Sequence, residues 1–372
     1  MKNNMFPSCF ILNGEKVHIK DILCLKTEGL RQWEKEAFDF FKQWYSEEDF
    51  ITVHTSGSTG TPKKICLKKE FVANSAIRTI NYFHLKEGDR VLHCLPSRYI
   101  AGKLMIVRAL TGKLDIYIAD PSNPLSLFEN YDFKFAAMVP NQVIKILNIT
   151  EGEKKLQHIR HLLLGGSSIP LSLERKLSSS PVLCYSGYAM TETATHIAIR
   201  ALNGPESGQW YRCMDNIRVE LSEKGCLKIF EPGLPGEFLQ TTDIAELKDN
   251  LTFRIIGRSD NVIISGGIKY SPEIIEKKIE KEISQSFMIS CLPHDKLGLQ
   301  LVMIIEGIDD EGVKQNIEGI CHRELSKYEV PRQFIFICKI PQTSGGKPDR
   351  NAVKKLLLSA GKNKSGRNQV KA

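Results

Sequence analysis

The sequence lacks the long apolar runs and the cysteine pairs that mark several large protein classes. No stretch of the 372 residues approaches the 18 or more consecutive apolar residues typical of a membrane-spanning helix. The ten cysteines contain no Cys-x-x-Cys pair, and most lie in apolar runs such as residues 182–185. That usage is typical of small buried side chains in a reducing compartment. The N-terminus also lacks the apolar core of a signal peptide, so we expect a soluble, cytoplasmic protein.

Metal-ligand spacing and basic stripes are also scarce. His158 and His161 lie three residues apart, but no third ligand is near them in the sequence. The net charge is +8, yet residues 351–372 hold six lysines and arginines and no acidic residue. Residues 361–372 are typical of a solvated, flexible tail. We therefore expect neither a nucleic-acid partner nor membrane insertion, and the oligomeric state, a homo-oligomer included, stays open.

What the sequence does contain is a long alternation of strand and helix patterns up to about residue 185. This alternation predicts an α/β fold in which helices cover a parallel sheet. Hairpin-like strands near residues 216–230 indicate a small β subdomain, and an α+β pattern follows residue 257. The predicted domains are a large N-terminal one, residues 1–257, and a small mobile C-terminal one, residues 258–360, followed by the tail.

Residues 54–64 concentrate hydroxyl groups, glycines and lysines directly after the apolar run 50–53. The run predicts a buried strand, and the cluster predicts a loop at its carboxyl end, where open α/β sheets hold ligands. Glycines, exposed amides, hydroxyls and a lysine together form a cradle for a polyanion such as phosphate. The spacing excludes the common phosphate loop, because Pro62 precedes Lys63 and Lys64 follows it. A solvated turn explains the stretch equally well when it is taken alone.

Four further polar clusters follow, at residues 185–193, 240–243, 257–267 and 341–350. In the first, Thr191 can bond a phosphate oxygen, Glu192 can hold a hard divalent cation, and Tyr188 offers a ring face to a base. In the second, the carboxylate of Asp243 can accept hydrogen bonds from ribose hydroxyls. In the last, Lys347 lies beside two glycines.

Each of these clusters also has an ordinary structural explanation. Glu192 can cap a helix, and Asp243 can sit in a turn. Arg258 and Asp260 can form a surface ion pair, and Lys347 is one of many lysines.

Together and in this order, the five clusters resemble the adenylate-forming superfamily of acyl- and aryl-CoA synthetases, luciferases and peptide-synthetase adenylation domains. The matching signatures are T-S-G-[ST]-T-G-x-P-K at 55–63, Y-G-x-T-E at 185–192, T-G-D at 240–243, G-R-x-D at 257–267 and P-x-x-x-x-G-K-x-x-R at 341–350. The resemblance covers residues 50–355.

The resemblance implies a role for each matched residue. The implied ATP-binding residues are Thr55, Ser56, Gly57, Ser58, Thr59, Gly60, Lys63, Gly166, Ser167, Ser186, Gly187, Tyr188, Thr191, Asp243 and Arg258. The implied catalytic residues are Lys347, Thr191 and Glu192, and Glu192 also holds Mg²⁺. The implied hinge residue is Asp260, and the implied lining of the coenzyme A channel is Gly266 and Gly267. The residues implied to contact the acyl substrate are Arg98, Tyr99, Gly102 and Gly165.

The implied reaction has two steps. A carboxylate attacks the α-phosphate of ATP to give an acyl-adenylate and pyrophosphate, and a thiol then attacks the acyl carbon while AMP leaves. In this family the C-terminal domain rotates between the steps, so that Lys347 leaves and Gly266 and Gly267 enter. Three residues depart from the family's glycines, namely Lys64, Ala189 and Thr242, and the region before residue 50 is shorter than is usual.

Residues 95–108 occupy the family's substrate motif and carry Arg98, Lys103 and Arg108. A fatty acyl tail calls for none of these cations, whereas a second carboxylate does. Solvation, or pairing with acidic residues, is the alternative explanation. The segment and the short chain resemble most the o-succinylbenzoate–CoA ligases of menaquinone biosynthesis.

Residues 164–169 also resemble a phosphopantetheine attachment site, but they lie between a strand and a helix in the parallel-sheet region. No separate carrier domain is visible in the sequence, so free coenzyme A is the expected acceptor. Another acyl- or aryl-CoA ligase, and an adenylating module that loads an acyl carrier protein, remain as alternatives.

Overall fold

The structure is a computed structural model that describes residues 7–54, 64–128, 130–342 and 348–365. The chain divides into two compact units. Unit 1 comprises Met1–Val219, Ile229–Leu239 and Lys248–Phe253, and unit 2 comprises Glu220–Lys228, Gln240–Leu247 and Arg254–Ala372. The domain boundaries expected at residues 257 and 360 stay predictions.

Strands and helices alternate along the described residues. The strands are β1 Cys9–Leu12, β2 Glu15–His18, β3 Phe50–His54, β4 Lys64–Lys68, β5 Arg90–His93, β6 Asp115–Ile118, β7 Phe133–Met138, β8 Ile159–Leu164, β9 Leu183–Ala189, β10 His196–Ala201, β11 Tyr211–Cys213, β12 Arg218–Leu221, β13 Cys226–Phe230, β14 Leu239–Asp249, β15 Thr252–Arg258, β16 Ile263–Ser265, β17 Ile268–Tyr270, β18 Phe287–His294, β19 Gly298–Glu306 and β20 Gln333–Ile337. The helices are α1 Ile19–Cys24, α2 Gln32–Trp44, α3 Lys69–Tyr82, α4 Ile100–Gly112, α5 Pro140–Leu147, α6 Gly152–Leu156, α7 Leu171–Ser178, α8 Pro272–Ile279, α9 Glu311–Glu324 and α10 Arg350–Ser365.

The sheet of unit 1 runs in the order β11-β10-β9-β8-β7-β5-β6-β1-β2. Its six central strands, from β9 to β1, pair in parallel, whereas β10, β11 and β2 pair antiparallel at the two ends of this order. The predicted α/β class is thereby confirmed. Strand β6 lies on one side of β5 in the sheet, and the next strand along the chain, β7, lies on the other side of β5. The strand order therefore reverses at β5. Open sheets bind ligands at the carboxyl ends of strands beside such a point.

The core of unit 1 follows from the strand sequences. Central parallel strands are buried on both faces, and the last four residues of β7 and the last three of β8 are accordingly apolar and buried. Apolar residues at helical spacing between residues 30 and 45 predict an amphipathic helix. It appears as α2, with Ala37, Phe40, Phe41 and Trp44 buried on one side. Full burial of one such large side chain contributes about 1.5–3 kcal/mol. Helix α4 is buried over most of its length, Arg108 included.

The strand predicted at residues 50–53 belongs to a different sheet from the one expected. Strand β3 pairs antiparallel with β4, from Phe50↔Lys68 to His54↔Lys64, in a separate two-stranded sheet. The alternating sequence of β4, with Ile65 and Leu67 as its apolar members, explains the pairing. Residues 55–63 therefore connect two antiparallel strands and do not follow a strand of the parallel sheet.

Unit 2 holds the hairpin β16–β17 and a three-stranded sheet in the order β18-β19-β20. Helices α8 and α9 pack on this sheet through buried residues such as Ile275, Ile279 and Ile317. The boundaries between the units fall inside β12, β13, β14 and β15. In neither unit does a described helix combine the length and apolar character needed to cross a bilayer.

Candidate nucleotide and acyl site

The carboxyl ends of β7, β8 and β9 lie side by side, because Met138 pairs with Leu164 and Leu164 pairs with Ser186. Gly165 donates its backbone N–H to the Met138 carbonyl at 3.1 Å, and Gly166 adopts a left-handed φ of +82°. Residues 165–167 and 186–188 are thus neighbours at one edge of the sheet. Residues of both segments are predicted to bind ATP, and they can do so at one site only if the two segments lie close together.

Gln142 links the ends of the strands on either side of the reversal point. Its amide group donates to the carbonyls of Cys94 and Pro121, both at 2.8 Å, and accepts from the Val139 backbone at 3.1 Å. These backbone groups follow β5, β6 and β7. No local motif marks Gln142, and sequence reasoning missed it.

Ser186, Gly187 and Tyr188 lie within β9. Ser186 is buried, and its Oγ lies 2.8 Å from the hydroxyl of Tyr211. A Cβ on Gly187 would approach the Cβ of His196 to 3.1 Å, so the glycine lets β9 and β10 pair closely. The Tyr188 ring centroid lies 5.2 Å from that of Phe253.

Thr191 and Glu192 occupy the turn between the antiparallel strands β9 and β10. Thr193 organises this turn, since its Oγ1 accepts from the Met190 N–H at 3.2 Å and donates to the Thr195 carbonyl at 2.8 Å. Among the described residues no cation pairs with Glu192, which is half-buried and does not cap a helix. Its carboxylate is therefore suited to a hard divalent cation.

The described residues contain no cluster of three or more histidine, cysteine or carboxylate side chains that could hold a metal ion alone. Magnesium usually uses one or two protein carboxylates together with substrate phosphates. A single carboxylate at Glu192 fits that mode of binding.

Three cations in residues 95–108 have three different environments. Arg98 is exposed and forms an ion pair with Glu36 at 3.0 Å, with its guanidinium 4.9 Å from the Tyr99 ring centroid. Lys103 is buried above the Phe40 ring at 4.4 Å, and burial lowers its pKa to about 8. Arg98 and Lys103 thus both contact residues of α2.

Arg108 is fully buried and has no carboxylate partner within the described part of the chain. Its Nη2 donates to Thr195 Oγ1 at 3.1 Å, and its Nε has no hydrogen-bond partner there. Thr195 Oγ1 also lies 3.2 Å from Nδ1 of His196. Burial lowers the pKa of Arg108 to about 9, which leaves the guanidinium charged at neutral pH.

Gly102 has a packing role that its predicted contact with substrate does not explain. A Cβ at this position would lie 2.4 Å from the carbonyl oxygen of Pro96. The first turn of α4 therefore packs directly on the backbone that leads from β5 to Arg98. For Gly165 an added Cβ would meet nothing within 4 Å.

In unit 2, Arg258 joins the second and third predicted clusters. Its Nη1 donates to Asp243 at 2.9 Å, its Nη2 to Thr242 at 2.6 Å, and its Nε and Nη2 to Asp260 at 3.0 and 2.7 Å. Hydrogen bonding from Arg258 lowers the pKa of Asp260. The surface ion pair considered from the sequence is present, and Thr242 supplies a hydroxyl where the family has glycine.

Gly266 and Gly267 form the two-residue turn of the hairpin β16–β17, since Ser265 pairs with Ile268. Their φ values are +57° and +84°, as a hairpin turn with two left-handed central residues requires. Their predicted contact with coenzyme A stays a prediction.

The predicted ATP residues Thr55, Ser56, Gly57, Ser58, Thr59, Gly60 and Lys63, and the predicted catalytic Lys347, lie outside the described residues. The chain on either side of residues 343–347 is described. There Asp349 donates its N–H to the Pro341 carbonyl at 2.8 Å, and Arg350 binds both carboxylate oxygens of Glu276 at 2.6 and 2.9 Å.

An α/β sheet with glycine and hydroxyl groups at its carboxyl edge is typical of nucleotide-binding proteins. The model of the family described as "AMP-binding enzyme" matches residues 12–242. This chain belongs to the AMP-binding enzyme family. The resemblance to the adenylate-forming superfamily is confirmed, and so, at the level of this family, is the prediction of an AMP-forming acid–CoA ligase.

Individual proteins are similar to the chain over most of its length. A 2-succinylbenzoate–CoA ligase of Listeria monocytogenes is 24% identical over 342 residues, which cover 85% of this chain and 72% of that protein. The crystal structure of an acyl-CoA synthetase (AMP-forming)/AMP-acid ligase II-like protein from Dyadobacter fermentans is 33% identical, with a TM-score of 0.61 and coverage of 90% and 97%. An o-succinylbenzoate coenzyme A synthetase from Bacillus subtilis, in complex with ATP and magnesium ion, has a TM-score of 0.69 at 19% identity, with coverage of 88% and 78%.

Proposed function

We propose that this enzyme activates o-succinylbenzoate as an acyl-adenylate with ATP and Mg²⁺ and transfers the acyl group to coenzyme A, as in menaquinone biosynthesis. The names of the Listeria and Bacillus relatives support this substrate. The observation that carries the proposal is the buried charge of Arg108.

An unpaired buried charge is costly, and removal of water from an ion costs several kcal/mol unless a partner compensates. Arg108 is charged at neutral pH, yet no carboxylate of the described chain compensates it. A substrate with two carboxylates supplies the missing anion, because one carboxylate can bind Arg108 while the other reacts. A monocarboxylic acid provides no such partner.

In the adenylation step negative charge develops on the α-phosphoryl group of ATP. The residues of the site therefore act mainly by positioning the reactants and stabilising that charge. In this proposal Ser186, Gly187 and Tyr188 bind the base, and residues 165–167 border it. Thr191 donates to a phosphate oxygen. Glu192 would hold Mg²⁺, which would neutralise phosphate charge, and the fit of that carboxylate rests on the absence of a cation partner among the described residues.

Further roles are proposed for residues of unit 2. Asp243 accepts from the ribose hydroxyls, and Arg258 orients the Asp243 carboxylate through the hydrogen bond described above. Lys347 bridges the attacking carboxylate and the α-phosphate. Asp260 acts as the hinge between the two half-reactions, and Gly266 and Gly267 line the path of coenzyme A.

The test uses three acids: o-succinylbenzoate, 2-butyrylbenzoate and 3-benzoylpropionate. Each of the last two lacks one carboxylate of the first. Pyrophosphate release by the wild type is compared with release by Arg108→Met, Arg108→Lys and the control Arg90→Met, whose residue is half-exposed at the start of β5. Loss of hydrogen bonds to a charged group predicts a fall in kcat/KM for o-succinylbenzoate of about 10- to 150-fold in Arg108→Met.

The outcome for the analogue that still reacts decides the assignment. If Arg108 binds the second carboxylate, Arg108→Met leaves the activity on that analogue near the wild-type value. An equal loss on all acids, or turnover of a monocarboxylate beside no turnover of o-succinylbenzoate, contradicts the substrate assignment. Acyl transfer to a carrier protein but not to coenzyme A identifies a carrier-loading module instead.

A further inference from the structure

Tyr211 is a residue that no motif singled out, yet it contacts the predicted base-binding segment directly. It lies on β11, two strands from β9, and its hydroxyl is 2.8 Å from Ser186 Oγ. Ser186 is only 5% exposed, so few other groups can reach its hydroxyl. The Tyr211 ring centroid lies 6.0 Å from that of Tyr188.

Polar contacts continue behind Tyr211 to helix α7. The Arg200 guanidinium lies 5.6 Å from the Tyr211 ring centroid, which is within the range of a cation–π contact. Arg200 in turn binds Glu174 through two parallel hydrogen bonds of 2.6 and 3.1 Å. Such forked arginine–carboxylate pairs hold a fixed geometry.

These contacts join the two segments that border the proposed base site. Glu174 lies on α7, which follows residues 165–167, and Ser186 lies on β9. The ring of Tyr211 also stacks on Phe253 at 5.7 Å with an interplanar angle of 21°. The ring of Tyr211 is therefore held by Phe253 and Arg200, and its hydroxyl contacts Ser186.

We propose that Tyr211 is a positioning residue for nucleotide binding, which anchors the buried Ser186 hydroxyl and contacts the Tyr188 ring so that β9 holds the geometry in which it binds the base of ATP. This inference rests on the proposed nucleotide-binding role of residues 186–188. The hydroxyl of Tyr211 provides the selective contact, whereas its ring contributes to packing.

The test measures KM values for ATP, acid and coenzyme A separately, and ATP binding by calorimetry, for wild type, Tyr211→Phe, Ser186→Ala and the double variant. Tyr211→Phe keeps the ring and removes one neutral hydrogen bond, so KM for ATP is expected to rise about 3- to 10-fold. The KM values for acid and coenzyme A stay at the wild-type level. Because the two side chains act through one contact, the double variant loses no more than the larger single loss.

The matched control is Tyr45→Phe, which also removes one tyrosine hydroxyl, here bound to the Pro7 carbonyl at 2.7 Å. It should leave KM for ATP unchanged. An unchanged KM for ATP in Tyr211→Phe, or additive losses in the double variant, overturns the inference. If Tyr211→Phe does not fold, Ser186→Ala alone has to raise KM for ATP, and its failure to do so overturns the inference too. Wild-type protein without ATP-dependent pyrophosphate release would instead contradict the proposed function.

Discussion

Arg258 donates from Nη2 to the hydroxyl of Thr242 at 2.6 Å, at a position where the adenylate-forming pattern has glycine. Thr242→Gly removes this one contact and leaves the hydrogen bonds of Arg258 to Asp243 and Asp260 in place. We expect a loss of about 0.5–1.5 kcal/mol in the free energy of unfolding from the hydrogen bond. Since Asp243 keeps its partner, KM for ATP should change little.

The measurement is urea-induced unfolding together with KM for ATP, with Thr242→Ser as the control that keeps a hydroxyl. Asp243→Asn, which alters the proposed ribose ligand itself, should raise KM for ATP far more than Thr242→Gly. Equal effects of these two variants on KM would contradict the assignment of the ribose contact to Asp243 with Thr242 outside it.

Gly102→Ala should destabilise unit 1, because the added Cβ would lie 2.4 Å from a backbone oxygen of Pro96. The backbone relaxes less readily than a side chain does, and overpacking of this kind typically lowers the free energy of unfolding by about 1–3 kcal/mol. The control Gly319→Ala places a methyl group where nothing lies within 4 Å, on the exposed side of α9. There alanine should stabilise the helix by up to about 1 kcal/mol. Thermal unfolding of both variants tests the contrast, and equal shifts in Tm would contradict the close packing.

Stability should fall as the pH is lowered from 6.5, because buried histidines stay neutral in the folded state. Burial lowers the pKa of His93 to about 4, and burial also lowers the pKa values of His161 and His196. Between pH 6.5 and 4 the unfolded chain binds a proton that folded His93 does not bind, so protonation favours unfolding. The stability contributed by neutral His93 is present above pH 6.5 and is lost toward pH 4, by about 3 kcal/mol.

Urea unfolding at pH 7 and pH 5 checks this dependence. The loss between the two values should be smaller in His93→Gln than in wild type by about 2 kcal/mol. His322→Gln, at an exposed position of α9, should lose as much as wild type. An unchanged pH dependence in His93→Gln would contradict the neutral, buried state of His93.

Lys347→Ala should abolish acyl-adenylate formation and spare thioester formation from supplied acyl-adenylate. The reason is that Lys347 is proposed to stabilise charge only on the attacking carboxylate and the α-phosphate. Rates of the two half-reactions are measured separately, with the exposed Lys339→Ala as control. A loss of both half-reactions to the same extent would contradict the proposed role.

Much of the fold could be predicted because its signals are local. The apolar side of α2 and the strand–helix alternation from β5 to β9 follow from residue spacing alone. The pairing of β3 with β4 was missed because residues 54–64 were interpreted as a ligand-binding loop at the carboxyl end of a buried strand. The alternation at Ile65 and Leu67 was the signal that could have revealed β4.

Parts of the candidate site depend on contacts that sequence spacing does not encode. The contact between Ser186 and Tyr211 spans 25 residues and is set by the pairing of β9, β10 and β11. Arginine is usually exposed, so spacing gave no reason to place Arg108, and not Arg98, in the interior. The burial of Arg108, in contrast to the exposure of Arg98, is the observation on which the substrate proposal rests.

The most direct measurement of the central claim is the product balance of the wild-type enzyme with ATP, Mg²⁺, coenzyme A and o-succinylbenzoate. The account predicts that AMP, pyrophosphate and the coenzyme A thioester form in equal amounts, and that thioester formation stops when the acid or coenzyme A is omitted. Formation of ADP and phosphate, or failure to consume o-succinylbenzoate under conditions in which a monocarboxylic acid is consumed, would contradict it.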